Sequence, residues 1–130
     1  MNKKNDLMKG KGEWNEEEHP RDELGRFVAI SEFRYIEKDP ELKKPHPAHL
    51  YAKNGKDEVK YHQLTHSDEI NKLGIKTIKL NDNPNPKDIR DAYFIPDSKK
   101  ANVNIFGKIK KSWFLSKEND EILKDYRDQL

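Results

Sequence analysis

His49-Leu-Tyr-Ala-Lys53 and Asp57-Glu-Val-Lys-Tyr-His-Gln-Leu64 flank the pair Asn54-Gly55. Two runs of alternating character around Asn-Gly form the strongest short-range signal for a β-hairpin, because both turn residues accept left-handed angles. Strand periodicity then puts Leu50, Ala52, Val59, Tyr61 and Gln63 on one face. Tyr51, Lys60, His62 and Leu64 fall on the other.

Upstream of the hairpin, Phe27 to Ile36 (Phe-Val-Ala-Ile-Ser-Glu-Phe-Arg-Tyr-Ile) reads as a further strand. Val28, Ile30 and Ile36 keep period two, whereas Phe33 and Tyr35 break it, so a bulge near Glu32 is expected. Lys38 to Pro47 reads as a loop, since Pro40, Pro45 and Pro47 each lack a ladder donor. His46 and His49 flank that loop and read as plain surface residues.

Downstream, Thr65 to Gly74 has the pattern of a short helix. Ser67 caps it, Asp68 and Glu69 suit its positive end, and Gly74 closes it. Ile75 to Leu80 and Asp91 to Ile95 read as strands. Between them, Asn81-Asp-Asn-Pro-Asn-Pro-Lys-Asp88 is a proline-fixed bend. Asp97 to Asn104 reads as a polar turn, Ile105 to Gly107 as a return to the core, and Lys110 to Leu115 as the last strand. Ser116 caps a terminal helix over 117–129, with Ile122, Tyr126 and Leu130 in one stripe beside Leu123. The fold class is therefore α+β: a small, mainly antiparallel sheet with a short helix and a C-terminal helix. Residues 1–26 are too polar to bury and read as a disordered or linker-like tail, leaving 27–130 as one domain.

With 130 residues, 32% hydrophobic and 38% charged, the core must be small. The chain has no cysteine, which excludes disulfides and thiolate metal sites and fits a reducing compartment. The basic start has no apolar run of signal-peptide type, and no window is long and apolar enough to span a bilayer. Location in a bacterial host cytoplasm or a virion, without membrane contact, is the matching expectation. The net charge of +2 argues against a general nucleic-acid coat, but six lysines against Asp97 in 97–117 adjoin an acidic 118–130. Such a basic stretch is either a phosphate-facing surface or an ordinary solvated face.

Tyr61-His-Gln-Leu-Thr-His-Ser67, followed by Arg90 and Tyr93, concentrates the residue types that acid–base chemistry on a phosphodiester requires. His66 sits at the mouth of the expected helix, whose free N–H groups suit an anion, and Thr65 and Ser67 add hydroxyls. Metal-free cleavage needs a base, an acid and cations. His62 or His66, Arg90 and one of Lys76, Lys79 or Lys108 would fill those roles. The competing reading is structural, with Thr65 and Ser67 as caps and the histidines as surface donors. A zinc site at His62 and His66 is disfavoured, because the strand-to-helix change separates their faces. No cofactor motif is present.

Two resemblances bear on these residues. Trp14-Asn-Glu, His19-Pro-Arg-Asp22 and Gly25-Arg-Phe27 are similar to a short segment of head-associated proteins of tailed bacteriophages. Tyr61 to Ser67, Thr77-Ile-Lys-Leu80, Asn83-Pro-Asn-Pro-Lys-Asp88, Arg90-Asp-Ala-Tyr93, Phe106-Gly-Lys108 and Trp113 resemble phage accessory domains grouped with barnase, EndoU, colicin and RelE-like nucleases. The second resemblance implies a helix-and-sheet fold, metal-free RNA cleavage, and His66, Thr65, Ser67, Arg90 and Tyr93 as site residues. Two functions are expected from this: a phage-encoded, metal-independent RNase-like domain acting on RNA, or a non-catalytic virion or head-associated protein that binds phage structural partners.

Overall fold

The computed structural model describes residues 25–68 and 74–128. The expected tail up to residue 24, most of the expected helix after Ser67 with Ile70 and Leu73, and Leu130 of the terminal stripe lie outside the described residues.

Six strands form one antiparallel sheet: β1 (Val28–Ile36), β2 (His46–Lys53), β3 (Glu58–Thr65), β4 (Ile78–Lys79), β5 (Tyr93–Phe94) and β6 (Lys99–Asn102). One α-helix, α1 (Lys117–Lys124), and a 3-10 turn at Val103–Ile105 complete the described part, so the α+β class holds. β3 organises the sheet. One edge of it pairs with β2; the other is shared, with β6 along Glu58–Tyr61 and β5 along Leu64–Thr65.

The β2–β3 hairpin forms where expected, but its turn differs. Asp57, not Gly55, takes the left-handed conformation, with φ at 63°. Asp57 N–H donates to the Asn54 carbonyl, and Asn54 N–H donates to that of Glu58. This is a three-residue loop, a turn followed by one left-handed residue. The Asn54 side chain selects it: its Oδ1 accepts from the Lys56 and Glu58 N–H groups and its Nδ2 donates to Glu58.

A register shift between Ala29 and Glu32 is the expected bulge in β1, and a second lies between Leu50 and Ala52 in β2. Strand alternation splits the core in two. Ile36, Ala48, Leu50, Val59 and Tyr61 pack with Phe106 on one face. Phe33, Leu64, Leu80, Ala92 and Phe94 pack with Leu123 of α1 on the other, joined by Trp113 and Leu115.

Three segments depart from the sequence reading. Lys99–Asn102 is a strand, not a polar turn; it lies at the edge and joins by backbone pairing, so it needs no apolar alternation. Lys110–Leu115 is not a strand. After Phe106 the chain runs over the outer edge of β1, with Gly107 N–H donating to Tyr35 O and Lys110 N–H to Phe33 O. It then turns at Lys111-Ser112 and delivers Trp113 to the opposite face. β2 begins at His46, inside the expected loop: Pro47 pairs only with Tyr35 of β1, because pairing with β3 starts at Ala48, so no partner needs its missing N–H. The strands expected over Ile75–Leu80 and Asp91–Ile95 shorten to two residues each. The helix ends at Lys124 instead of 129, and Leu123 is its buried apolar residue.

Candidate functional site

Loop 81–92 carries the most concentrated polar chemistry, and the C-terminal part of the chain sets its position. Ser116 caps α1 by accepting from Asn119 N–H, and its own hydroxyl donates to Asp82 Oδ1 at 2.8 Å. Asn119, fully buried, accepts from the N–H groups of Asn81 (2.8 Å) and Asp82 (3.4 Å) and donates to Asp82 O at 2.8 Å. Phe114 N–H donates to Pro84 O at 2.9 Å. Inside the loop two asparagine side chains cap the backbone two residues on: Asn83 accepts from Asn85 N–H and Asn85 from Lys87 N–H. Pro84 and Pro86 remove the remaining freedom.

This framework presents Asp88. Its carboxylate accepts from the Arg90 backbone N–H at 3.0 Å, from Nε at 2.9 Å and from Nη2 at 2.7 Å, a two-pronged guanidinium–carboxylate pair. The Arg90 side-chain hydrogen bonds, followed by its backbone bond, hold the Asp88 carboxyl well below the usual carboxylate range. His66, at the end of β3, faces the same group: Nε2 lies 3.5 Å from Asp88 Oδ2, and Nδ1 lies 3.3 Å from Asp91 O. Each ring nitrogen thus faces an oxygen acceptor. Ser67 N–H donates to Thr65 Oγ1, and Thr77 Oγ1 to Ser67 O, which tie down the chain on either side of His66.

A groove of about 430 Å³ opens here, lined by Tyr35, Lys44, Pro45, His46, Pro47, Thr65, His66, Ser67 and Arg90. His46 is thus a member of the site and not a plain surface residue. The first residue of β2, it pairs with Ile36 beside the Tyr35–Pro47 pair, and that register brings it to the groove. Its Nδ1 donates to Lys44 O at 2.8 Å, which in the neutral ring leaves Nε2 with a free lone pair.

Of the residues expected from sequence, His66, Thr65, Ser67 and Arg90 meet at this groove. His62 does not. It is fully buried between Tyr51, stacked at 5.4 Å, and Phe94, edge-on at 5.4 Å, and its Nδ1 donates to Ile95 O. Burial pushes its pKa down. His49, its cross-strand partner, is also fully buried and bonded to Ser31, so the surface reading of this residue is corrected too. Burial, then Arg127 and His62, lowers His49 to about 3. Tyr93 pairs with Thr65 but is not among the groove-lining residues. Lys76 pairs with Asp68 at 3.7 Å and Lys79 with Asp91 at 3.6 Å; Lys108 is exposed beyond the edge of β1.

The sequence reading missed His46, Asp88 and Asn119. For Asp88 a signal existed, the run of Asn and Asp at two-residue spacing that ends on an arginine. For Asn119 it was an amide four residues before Leu123 and therefore on the buried stripe of the helix. Among the described residues, no group of three or more His, Asp or Glu side chains could hold a metal ion, and no helix is long and apolar enough to cross a membrane. A scan against protein-family models and searches of the curated proteins and the solved structures each find no match to this chain.

Proposed function

We propose that this protein is a phage-encoded, metal-independent RNase-like domain that cleaves RNA phosphodiesters in the groove between His46 and His66. The observation that carries the reading is the convergence of two imidazoles with different hydrogen-bonding states and Arg90 on one groove. His46, with Nε2 unprotonated, takes the proton of a ribose 2′-hydroxyl, and the freed oxygen attacks the adjacent phosphorus. His66, in its protonated form, gives a proton to the departing 5′-oxygen. Its 3.5 Å contact to Asp88 is loose enough to be exchanged for that oxygen. Bond formation and cleavage at phosphorus then leave a 2′,3′-cyclic phosphate and a 5′-hydroxyl. Arg90 and Lys44 offset the charge that accumulates on the phosphoryl oxygens. The phage origin rests on the two sequence resemblances.

The test is cleavage of a mixed-sequence RNA in the presence of a chelator. The wild type should cut, the chelator should leave the rate unchanged, and His46→Ala and His66→Ala should each lose about 100- to 10,000-fold. Absence of cleavage by the wild type, or full activity in both variants, would overturn the reading. A non-catalytic, virion-associated protein that binds a nucleic acid or a capsid partner is the second reading. It is favoured by one observation: Lys60 and Lys100, opposed across β3 and β6, both lie over the Phe27 ring, at 4.7 and 5.9 Å, and form a basic edge away from the groove. Wild type that binds RNA or capsid protein without cutting would support that alternative.

A further inference from the structure

The groove has two chemically unlike walls. One is cationic and hydrogen-bonding, with His66, Arg90, Thr65 and Ser67. The other is aromatic: Tyr35 and Pro47, cross-strand partners on β1 and β2, which continue into a small recess with Leu64, Ala92 and Trp113 on its apolar side and Asn83, Asn85 and Asp88 on its polar side. The Tyr35 ring is held in place. Trp113 meets it edge-on, with centroids 5.7 Å apart and planes at 71°, and the Lys110 ammonium sits 5.1 Å from its centroid. Trp113 in turn packs on Phe33 in the core. An aromatic side chain braced in this way is a flat surface that needs no ordering when a ligand arrives.

We propose that the Tyr35–Pro47 wall is a nucleobase subsite and that the groove accepts a nucleotide of single-stranded RNA. This rests on the function proposed above and deepens it. A nucleotide carries an aromatic ring at one end and a phosphate at the other, which matches the two walls. The groove volume lies in the roughly 300–1,000 Å³ range of small-ligand sites. In a duplex the faces of the bases are stacked on one another, so a base offers its face to Tyr35 only from an unpaired strand. Every base has a π-face, so the subsite selects unpaired nucleotides over duplex without a strong preference for one base.

The experiment compares adenosine 3′-monophosphate with ribose 5-phosphate by NMR titration of the full chain, alongside cleavage of an oligoribonucleotide as a single strand and as a blunt duplex. The wild type should bind the nucleotide about tenfold tighter than the sugar phosphate, in keeping with base–aromatic stacking, and cut only the single strand. Tyr35→Leu should erase the nucleotide advantage while leaving ribose 5-phosphate affinity unchanged, and Tyr35→Phe, which keeps the ring and the Trp113 contact, should retain it. Equal affinity for the two probes in the wild type, an advantage that survives Tyr35→Leu, or equal cutting of duplex and single strand would overturn the subsite. The underlying function would still stand as long as His46→Ala and His66→Ala abolish cleavage. Loss of all RNA cleavage in the wild type, with nucleotide binding intact, would remove the enzymatic reading and keep the base subsite.

Discussion

Lowering the pH should destabilise this protein through a buried residue that does not line its groove. His49 is fully buried under β1 and α1's face of the sheet, with Nε2 bonded to Ser31 and Nδ1 facing no partner among the described residues. Its pKa falls from 6.5 to about 3, mainly by burial. In the unfolded chain the ring takes up a proton below about pH 6.5; in the folded chain it does so only near pH 3. Its neutral form therefore supports the fold fully above pH 6.5, and that support drains away as pH falls from 6.5 towards 3. Two proton-binding curves separated in this way cost about 2 kcal/mol between pH 7.5 and pH 5. His62, shifted in the same direction by burial, adds to the loss. Urea unfolding at the two pH values measures it: the wild type should lose about 2 kcal/mol more than His49→Gln, whose amide still reaches Ser31 but does not titrate. At a typical urea slope this moves the midpoint by about 1–2 M. Parallel losses in the two proteins would refute the reasoning. So would an NMR titration in which the His49 ring of the folded protein protonates above pH 5, a readout that does not depend on the variant folding.

Other expectations follow from the packing. Asn119→Ala strands the Asn81 and Asp82 N–H groups and the Asp82 carbonyl, and should cost about 2–3 kcal/mol in urea unfolding, with a fall in RNA cleavage at temperatures where the variant is still folded. Leu123→Ala opens a cavity between α1 and Phe94 and should cost about 2–5 kcal/mol, seen as a lower melting temperature. Asp57→Gly relieves a left-handed non-glycine residue whose ion pair with Lys53 is exposed, and should raise stability by about 1 kcal/mol by the same measurement.

The hairpin and β1 were legible because their apolar residues alternate and Asn54-Gly55 interrupts them. The pattern divided Leu50, Val59 and Tyr61 correctly from Leu64, but the bulge between Leu50 and Ala52 sets Ala52 opposite Lys60 and not on the face of Val59. What it left open came from the backbone. Lys99-Lys100-Ala-Asn has no apolar rhythm and becomes a strand only because β3 offers it an unpaired edge. Trp113-Phe-Leu115 has the rhythm of a strand, yet it meets the sheet by side-chain packing, and Phe114 N–H bonds to Pro84 of loop 81–92 and not to a strand. At the site, sequence spacing brought Thr65, His66 and Ser67 together, since they are adjacent. It had no means of telling that His62 points inwards while His46 points to the groove. That depends on the registers of β1 against β2 and of β2 against β3, long-range facts that no local pattern carries.

The clamp on loop 81–92 has a consequence for synthesis of the chain. Thr65, His66, Ser67 and Arg90 of the groove are synthesised before Ser116 and Asn119, the residues that hold loop 81–92 from outside. Loop 81–92 therefore carries its internal Asn83, Asn85 and Asp88 bonds from the start and gains the Ser116 and Asn119 contacts only when α1 has been made.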